Sequence, residues 1–209
     1  MRSRKDKNDP EAVQARQRVL TIIDSVKPED LIMSIKRAPS LRGMILGYIA
    51  EEMFDKHIRS VSTEITEVAK HDDHDRSRNK SDRTFIYRGK SYSVQLKSMQ
   101  TNSISRDINS GRLVADVQND GSDARRIHLP NGNYVQTTCY QRGEYDFLAV
   151  PLFPFTGDWS FAYMRNRDCR LTVSKKYNIE DREYLLASTE QITWPLDGKW
   201  TTDLFSLIQ

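Results

Sequence analysis

SDRTFIYRGKSYSVQLK, residues Ser81–Lys97, places two alternating runs on either side of a short polar break. In the second run Tyr92, Val94 and Leu96 fall on one face of a strand and Ser91, Ser93, Gln95 and Lys97 on the other, because successive strand side chains point to opposite faces. The first run, Ser81–Tyr87, reads as its partner strand, and Arg88-Gly-Lys90 as the turn between them. The pattern predicts a β-hairpin that opens with Asp82 and closes with Gln95 and Lys97.

Outward from this hairpin the pattern changes. Upstream, residues 10–26 keep helical spacing, with Pro10 placed as a first helical residue. Leu31–Arg37 predicts a short second helix. Ser40 is the expected N-cap of a third, from Leu41 to about His57, whose apolar residues at 41, 44, 45, 48, 49 and 53 recur at helical intervals. Val61–Val68 alternates loosely as a strand. Downstream, residues 100–139 are strand-like pieces broken by the turn signals Asn119–Ser122 and Pro130–Asn133. Asp146–Phe153 is a buried-strand candidate, Ser160–Met164 a shorter strand, and Thr202–Ile208 a closing helix. Helices first, strands next and mixed elements last indicate an α/β chain with a central mixed β-sheet, flanked by helices and preceded by N-terminal helices.

The 209 residues suit one domain: a basic tail (1–9), N-terminal helices (10–60), a core (61–165) and a C-terminal extension (166–209). No apolar run approaches the ~18 residues of a spanning helix, and MRSRKDKNDPE lacks the apolar centre of a secretion signal, so no membrane partner is expected. Cys139 and Cys169 match no zinc or redox spacing and read as ordinary thiols of a reducing, cytoplasmic compartment.

The net charge is +3, but nine Lys and Arg face two acids between Arg76 and Arg112. That segment therefore carries +7 and the rest of the chain −4. Such a concentration suits a polyanionic partner; a solvated loop with charged strand edges would show the same composition. His71, Asp72, His74 and Asp75 suggest a metal-dependent phosphohydrolase centre. That chemistry needs further ligands on distant helices, and only His57 and His128 remain, so this stretch reads as an exposed loop.

Asp82 supplies a hard anionic oxygen and Gln95 a neutral carbonyl oxygen on the same strand face as Lys97, with the Leu96 backbone carbonyl between them. Divalent-ion phosphodiester cleavage uses such oxygens, and a cation near the attacking water. Asp82, a spacer of about a dozen residues and Gln95-Leu96-Lys97 together resemble the PD-(D/E)XK nuclease superfamily, in its branch with Gln-X-Lys for Asp/Glu-X-Lys. Gly47-Tyr-Ile-Ala-Glu51 is similar to that family's first helix, and Tyr140–Val150 to the strand region after its active site. The resemblance covers residues 40–165; it departs at Ser81, where the family has Pro, and at Gln95, which brings no charge.

The resemblance implies a restriction-endonuclease-like core, Mg²⁺ with Mn²⁺ as substitute, and double-stranded DNA as partner. It implies Glu51, Asp82 and Gln95 as metal ligands and Lys97 as the fourth catalytic residue. Family spacing favours Glu51 as the helix carboxylate, whereas the helical wheel favours Glu52; Glu51 is the reading taken. Arg83, Arg88, Lys90, Arg106, Arg112, Arg125 and Arg126 are the expected DNA contacts, and His128, Tyr134 and Tyr140 packing or strand residues. The expected activity is that of a homodimeric Type II restriction enzyme. A homing or repair nuclease is the alternative in the same chemistry, and an inactive DNA-binding protein the alternative outside it.

Overall fold

The computed structural model describes residues 10–70, 81–99 and 101–208. The basic tail (1–9), the loop carrying His71, Asp72, His74 and Asp75, and the cations Arg76, Arg78 and Lys80 lie outside the described residues. The chain divides into two compact units, Met1–Ile45 and Leu46–Gln209.

The first unit holds α1 (Pro10–Leu20), α2 (Ile22–Ser25), α3 (Pro28–Arg37) and the start of α4 (Pro39–Val61). The single helix expected over 10–26 is interrupted at Thr21, whose hydroxyl donates back to the Gln17 carbonyl at 3.1 Å; such back-bonding competes with the helical ladder. In α3, Pro28 stands in the first turn with Glu29 and Asp30, and Lys36 and Arg37 in the last, matching the helix dipole at both ends. Ser40, the expected cap, lies inside α4, because Pro39 already occupies its first turn.

In the second unit α4 buries Ala50, Phe54 and Ile58 at helical spacing. Five strands make the main sheet: β1 (Ile65–Lys70), β2 (Arg83–Tyr87), β3 (Lys90–Leu96), β8 (Phe147–Pro151) and β9 (Phe161–Arg165), in the order β1-β2-β3-β8-β9. The β3–β8 pair is parallel and the others antiparallel, so the sheet is mixed, as expected. The predicted hairpin is β2–β3, and Tyr87 pairs with Lys90 across a two-residue turn. Arg88 and Gly89 both have positive φ (50° and 75°), as a type I′ turn needs to match strand twist; Gly89 takes this at no steric cost.

Alternation distributes the core. Phe147 and Ala149 of β8 join Phe54, Ile58, Phe85, Val94 and Phe161, whereas Leu148 and Val150 join Ala115, Val117, Met164 and Ile192. All five β8 residues are buried, which explains its unbroken apolar sequence. The second cluster is completed by an antiparallel sheet of β4 (Ser105–Arg106), β5 (Leu113–Gln118) and β10 (Thr189–Trp194), ordered β10-β5-β4. A separate ribbon pairs β6 (Asp120–His128) with β7 (Tyr134–Cys139). The turn expected at Asn119–Ser122 is instead the entry to β6. Asn119 is fully buried, its N–H donating to the Ser188 carbonyl (2.7 Å) and its side chain accepting from the Tyr145 hydroxyl (2.8 Å), which fixes the chain without a reverse turn. The turn at 130–133 is present, with Gly132 at φ 89°. Two short helices, α5 (Phe153–Thr156) and α6 (Ile179–Arg182), complete the regular structure, and the closing helix is one 3-10 turn, Leu204–Leu207, capped by Asp203.

Candidate active site

The open end of the β2–β3 hairpin gathers the residues singled out in the sequence. Asp82 Oδ2 accepts the Leu96 backbone N–H at 2.7 Å and the side-chain amide N–H of Gln95. Gln95 is buried (2% exposed), and its Oε1 is a buried acceptor with no hydrogen-bonding partner. An unmet buried carbonyl is costly, on the order of 1–3 kcal/mol, and a cation is one group that would satisfy it.

Lys97 sits beside this pair. Its Nζ donates to the backbone carbonyl of Asp120 at 2.9 Å and lies 5.3 Å from the Tyr140 ring centre. Burial holds the Lys97 ammonium below its ordinary pKa, against the opposing pull of Asp82, Asp120 and Glu51. Burial likewise raises the Asp82 carboxyl; Lys97 and the Leu96 N–H work against that, and Glu51 adds to it. Asp82 and Lys97 thus each stabilise the charged form of the other in a poorly hydrated place.

Glu51 reaches the same end of the sheet from α4, but in other company. Arg83, 1% exposed, donates Nη1–H to Glu51 Oε2 (3.0 Å) and to the Asp82 backbone carbonyl (2.9 Å), and Nε–H to Asp55 Oδ1 (2.7 Å). Lys70 Nζ lies 3.3 Å from Glu51 Oε2. Arg83 pairs across from Val94 and so faces α4 with it. Asp82, one residue earlier, turns the other way with Gln95 and Lys97. Glu52 is exposed, whereas Glu51 is the α4 carboxylate held by Arg83 and Lys70 at this end of the sheet.

For a divalent ion the donor set is of the right class, since a carboxylate and an amide carbonyl are hard oxygen ligands and Gln95 Oε1 is left unpaired. Glu51 belongs to the same class but is engaged by Arg83 and Lys70. Among the described residues no three His, Cys, Asp or Glu side chains converge as a ready-made metal centre.

The expected DNA contacts sort differently. Arg83 is corrected outright: buried and doubly ion-paired, it cannot face a duplex and instead braces α4 against β2. Lys90, paired with Tyr87, and Arg88 stand at the closed end of the hairpin, about 17 and 20 Å from Asp82 at ~3.3 Å per strand residue. There Arg88 forks onto Glu64 (3.0 and 3.2 Å) and Lys90 lies over Tyr92. Arg125 is half-buried, paired with Glu144 and 5.7 Å from the Tyr140 ring. Arg106, Arg112 and Arg126 are exposed.

Sequence reasoning missed Asp55 and Asp120. Asp55 lies one helical turn beyond Glu51, an i,i+4 spacing that could have revealed the Arg83 fork. Asp120 acts through its backbone carbonyl, for which sequence offers no signal. Tyr140 is buried as expected and is also the floor under Lys97. Tyr134 and His128 are strand residues, as the sequence suggested, paired across β7 and β6 with their side chains exposed.

No family model and no curated protein matches this chain. Among solved structures it is similar to a bacterial homing endonuclease, I-Ssp6803I, at 19% identity and a TM-score of 0.33, over 66% of this chain and 85% of that one. Both cysteines are free and buried, and no described helix is long and apolar enough to cross a membrane.

Proposed function

We propose that this protein is a divalent-ion-dependent endonuclease acting on double-stranded DNA. The observation that carries the reading is the Asp82–Gln95–Lys97 cluster at one strand end, where buried Gln95 leaves its carbonyl unpaired beside the half-buried ionisable pair of Asp82 and Lys97. Perturbed titration by burial together with specific charge partners is a feature that reactive sites share with structural ion pairs, and the unpaired Gln95 carbonyl distinguishes this cluster from the latter. When bound, Mg²⁺ or Mn²⁺ would supply Lewis-acid stabilisation of charge on the phosphate. Asp82 and Gln95 would hold the ion, with Glu51 joining them from its ion pairs. Lys97, fixed by the Asp120 carbonyl and the Tyr140 ring, orients the attacking water and offsets charge at the scissile phosphate.

The finer reading is a site-specific enzyme of the Type II restriction kind, working as a homodimer with one site for each strand. The test is cleavage of supercoiled plasmid with Mg²⁺, absent in EDTA. Lys97→Ala should abolish cutting while leaving DNA binding largely intact, since one cation contributes little to an interface of many phosphates. Plasmid left uncut by wild type in both Mg²⁺ and Mn²⁺, yet bound, would make the protein a DNA-binding protein without nuclease activity. Sequencing the cut ends, and sedimentation of the protein, test the restriction role and the dimer.

A further inference from the structure

The β6–β7 ribbon has two faces of opposite character. Ile127, Leu129, Thr137 and Cys139 are buried and, with half-buried Val135, pack on Tyr177 and Leu185. On the other face Arg126 stands directly across from Gln136 and His128 across from Tyr134, and all four are exposed. The Arg126 guanidinium lies 4.6 Å from the Tyr134 ring centre, and the His128 and Tyr134 rings are 4.7 Å apart. These contacts hold three long side chains upright on the ribbon, and Tyr134 still leaves 61% of its surface to solvent.

The ribbon is anchored at both ends. At its root the Asp120 carbonyl receives Lys97 (2.9 Å), so the strand presenting Arg126 begins at the candidate active site. At its tip the Asn131 and Asn133 side-chain amides donate to Asp181 at 2.9 and 2.8 Å. Arg126 is six residues beyond Asp120, at most about 20 Å along the strand, or roughly six base-pair steps of ~3.4 Å. A cleft of about 450 Å³ beside the ribbon is lined by Arg126, His128, Arg142 and the Arg125–Glu144 ion pair among others, so that Arg126 and Arg142 are the cations it offers to backbone phosphates.

We propose that the outer face of the β6–β7 ribbon enters the DNA major groove and reads base edges through Arg126, His128, Tyr134 and Gln136. The inference rests on the endonuclease reading and assigns its specificity element. A groove about 12 Å wide admits a two-stranded ribbon. Arg pairs bidentately with guanine and Gln with adenine, while an aromatic face can cover the thymine methyl. The Arg126–Gln136 pair thus sets both bidentate readers side by side. Prior ordering of Arg126 on Tyr134 lowers the entropy lost on binding.

The experiment selects duplexes from a random-sequence pool, in Ca²⁺ so that binding is read without cutting, and measures affinity for the enriched motif and for an arbitrary duplex. Wild type should enrich a defined motif. Arg126→Lys keeps the charge but loses the fork, so it should lose about 10- to 100-fold affinity for that motif and little for the arbitrary duplex. Gln136→Ala should relax selection at a neighbouring position. All four side chains point to solvent, so thermal unfolding should be unchanged, which separates lost reading from lost folding. A wild type that cuts plasmid but enriches no motif, or variants enriching the wild-type motif with equal affinity, would overturn the ribbon's role. A wild type that neither binds nor cuts DNA overturns the endonuclease reading itself.

Discussion

Replacing Arg83 by Met tests whether this side chain braces the site or touches DNA. Met keeps most of the length and apolar stem and removes the fork. Two charge-assisted hydrogen bonds to carboxylates are lost, to Glu51 at 3.0 Å and Asp55 at 2.7 Å, each worth about 1.5–3 kcal/mol, and with them the bond to the Asp82 carbonyl at 2.9 Å. Two effects reduce the loss. The released carboxylates keep 17% and 30% side-chain exposure and can recover water. Arg83 Nη2 is itself a buried donor with no hydrogen-bonding partner, and its removal relieves a desolvation cost of about 1–3 kcal/mol. The net expectation is destabilisation by about 2–3 kcal/mol, below the ~3–5 kcal/mol typical when a fully buried pair is broken. Urea unfolding followed by circular dichroism measures it. DNA binding titrated against salt gives the second reading: a lost phosphate contact lowers the slope by about 1, whereas a brace leaves it unchanged. Unaltered stability with a reduced salt slope would refute the placement of Arg83 and restore it to the DNA face.

Gln95→Glu restores a charged ligand and should keep activity with a shifted preference between Mg²⁺ and Mn²⁺, whereas Gln95→Ala should lose most activity; equal plasmid cleavage by wild type and Gln95→Ala would remove Gln95 from the site. Tyr163 buries its hydroxyl without a hydrogen-bonding partner, so Tyr163→Phe should be neutral or stabilising by up to about 1 kcal/mol in thermal or urea unfolding. His57 packs against Phe161 at 5.2 Å, and burial lowers its pKa from 6.5. A depressed folded-state pKa means that the unfolded chain takes up the proton first, so this contribution is present above about pH 6.5 and is lost as pH falls through the folded value. His57→Phe should therefore flatten the dependence of the unfolding midpoint on pH just below 6.5, and an unchanged profile would show that His57 stays hydrated.

How far the sequence was legible depends on the range of the force concerned. The β2–β3 hairpin was readable because period-two alternation and an Arg-Gly turn are local, and β8 because burial on both faces demands an unbroken apolar run. The entry to β6 was not readable. Asn119-Asp-Gly-Ser carries turn chemistry, yet the distant partners Ser188 and Tyr145 capture Asn119 and override it.

Charge counting failed for a related reason. It scores every cation alike, whereas Arg83 differs from Arg126 only in strand parity and in what lies opposite. Arg83 follows Asp82 by one residue, so the alternation that turns Asp82 toward Gln95 and Lys97 must turn Arg83 toward α4. There it meets Glu51 and Asp55, one turn apart on that helix. A cation in that place does not add to the DNA-facing field. It holds the very carboxylate that the proposed metal site would draw on, while its Nη1 also grips the Asp82 backbone. Releasing Glu51 toward an ion would therefore be coupled to Arg83, and Lys70 at 3.3 Å would remain as a second counter-charge on the same oxygen. The same coupling implies that ion affinity in Arg83→Met should change together with its stability, a joint shift that a residue bound only to DNA would not produce.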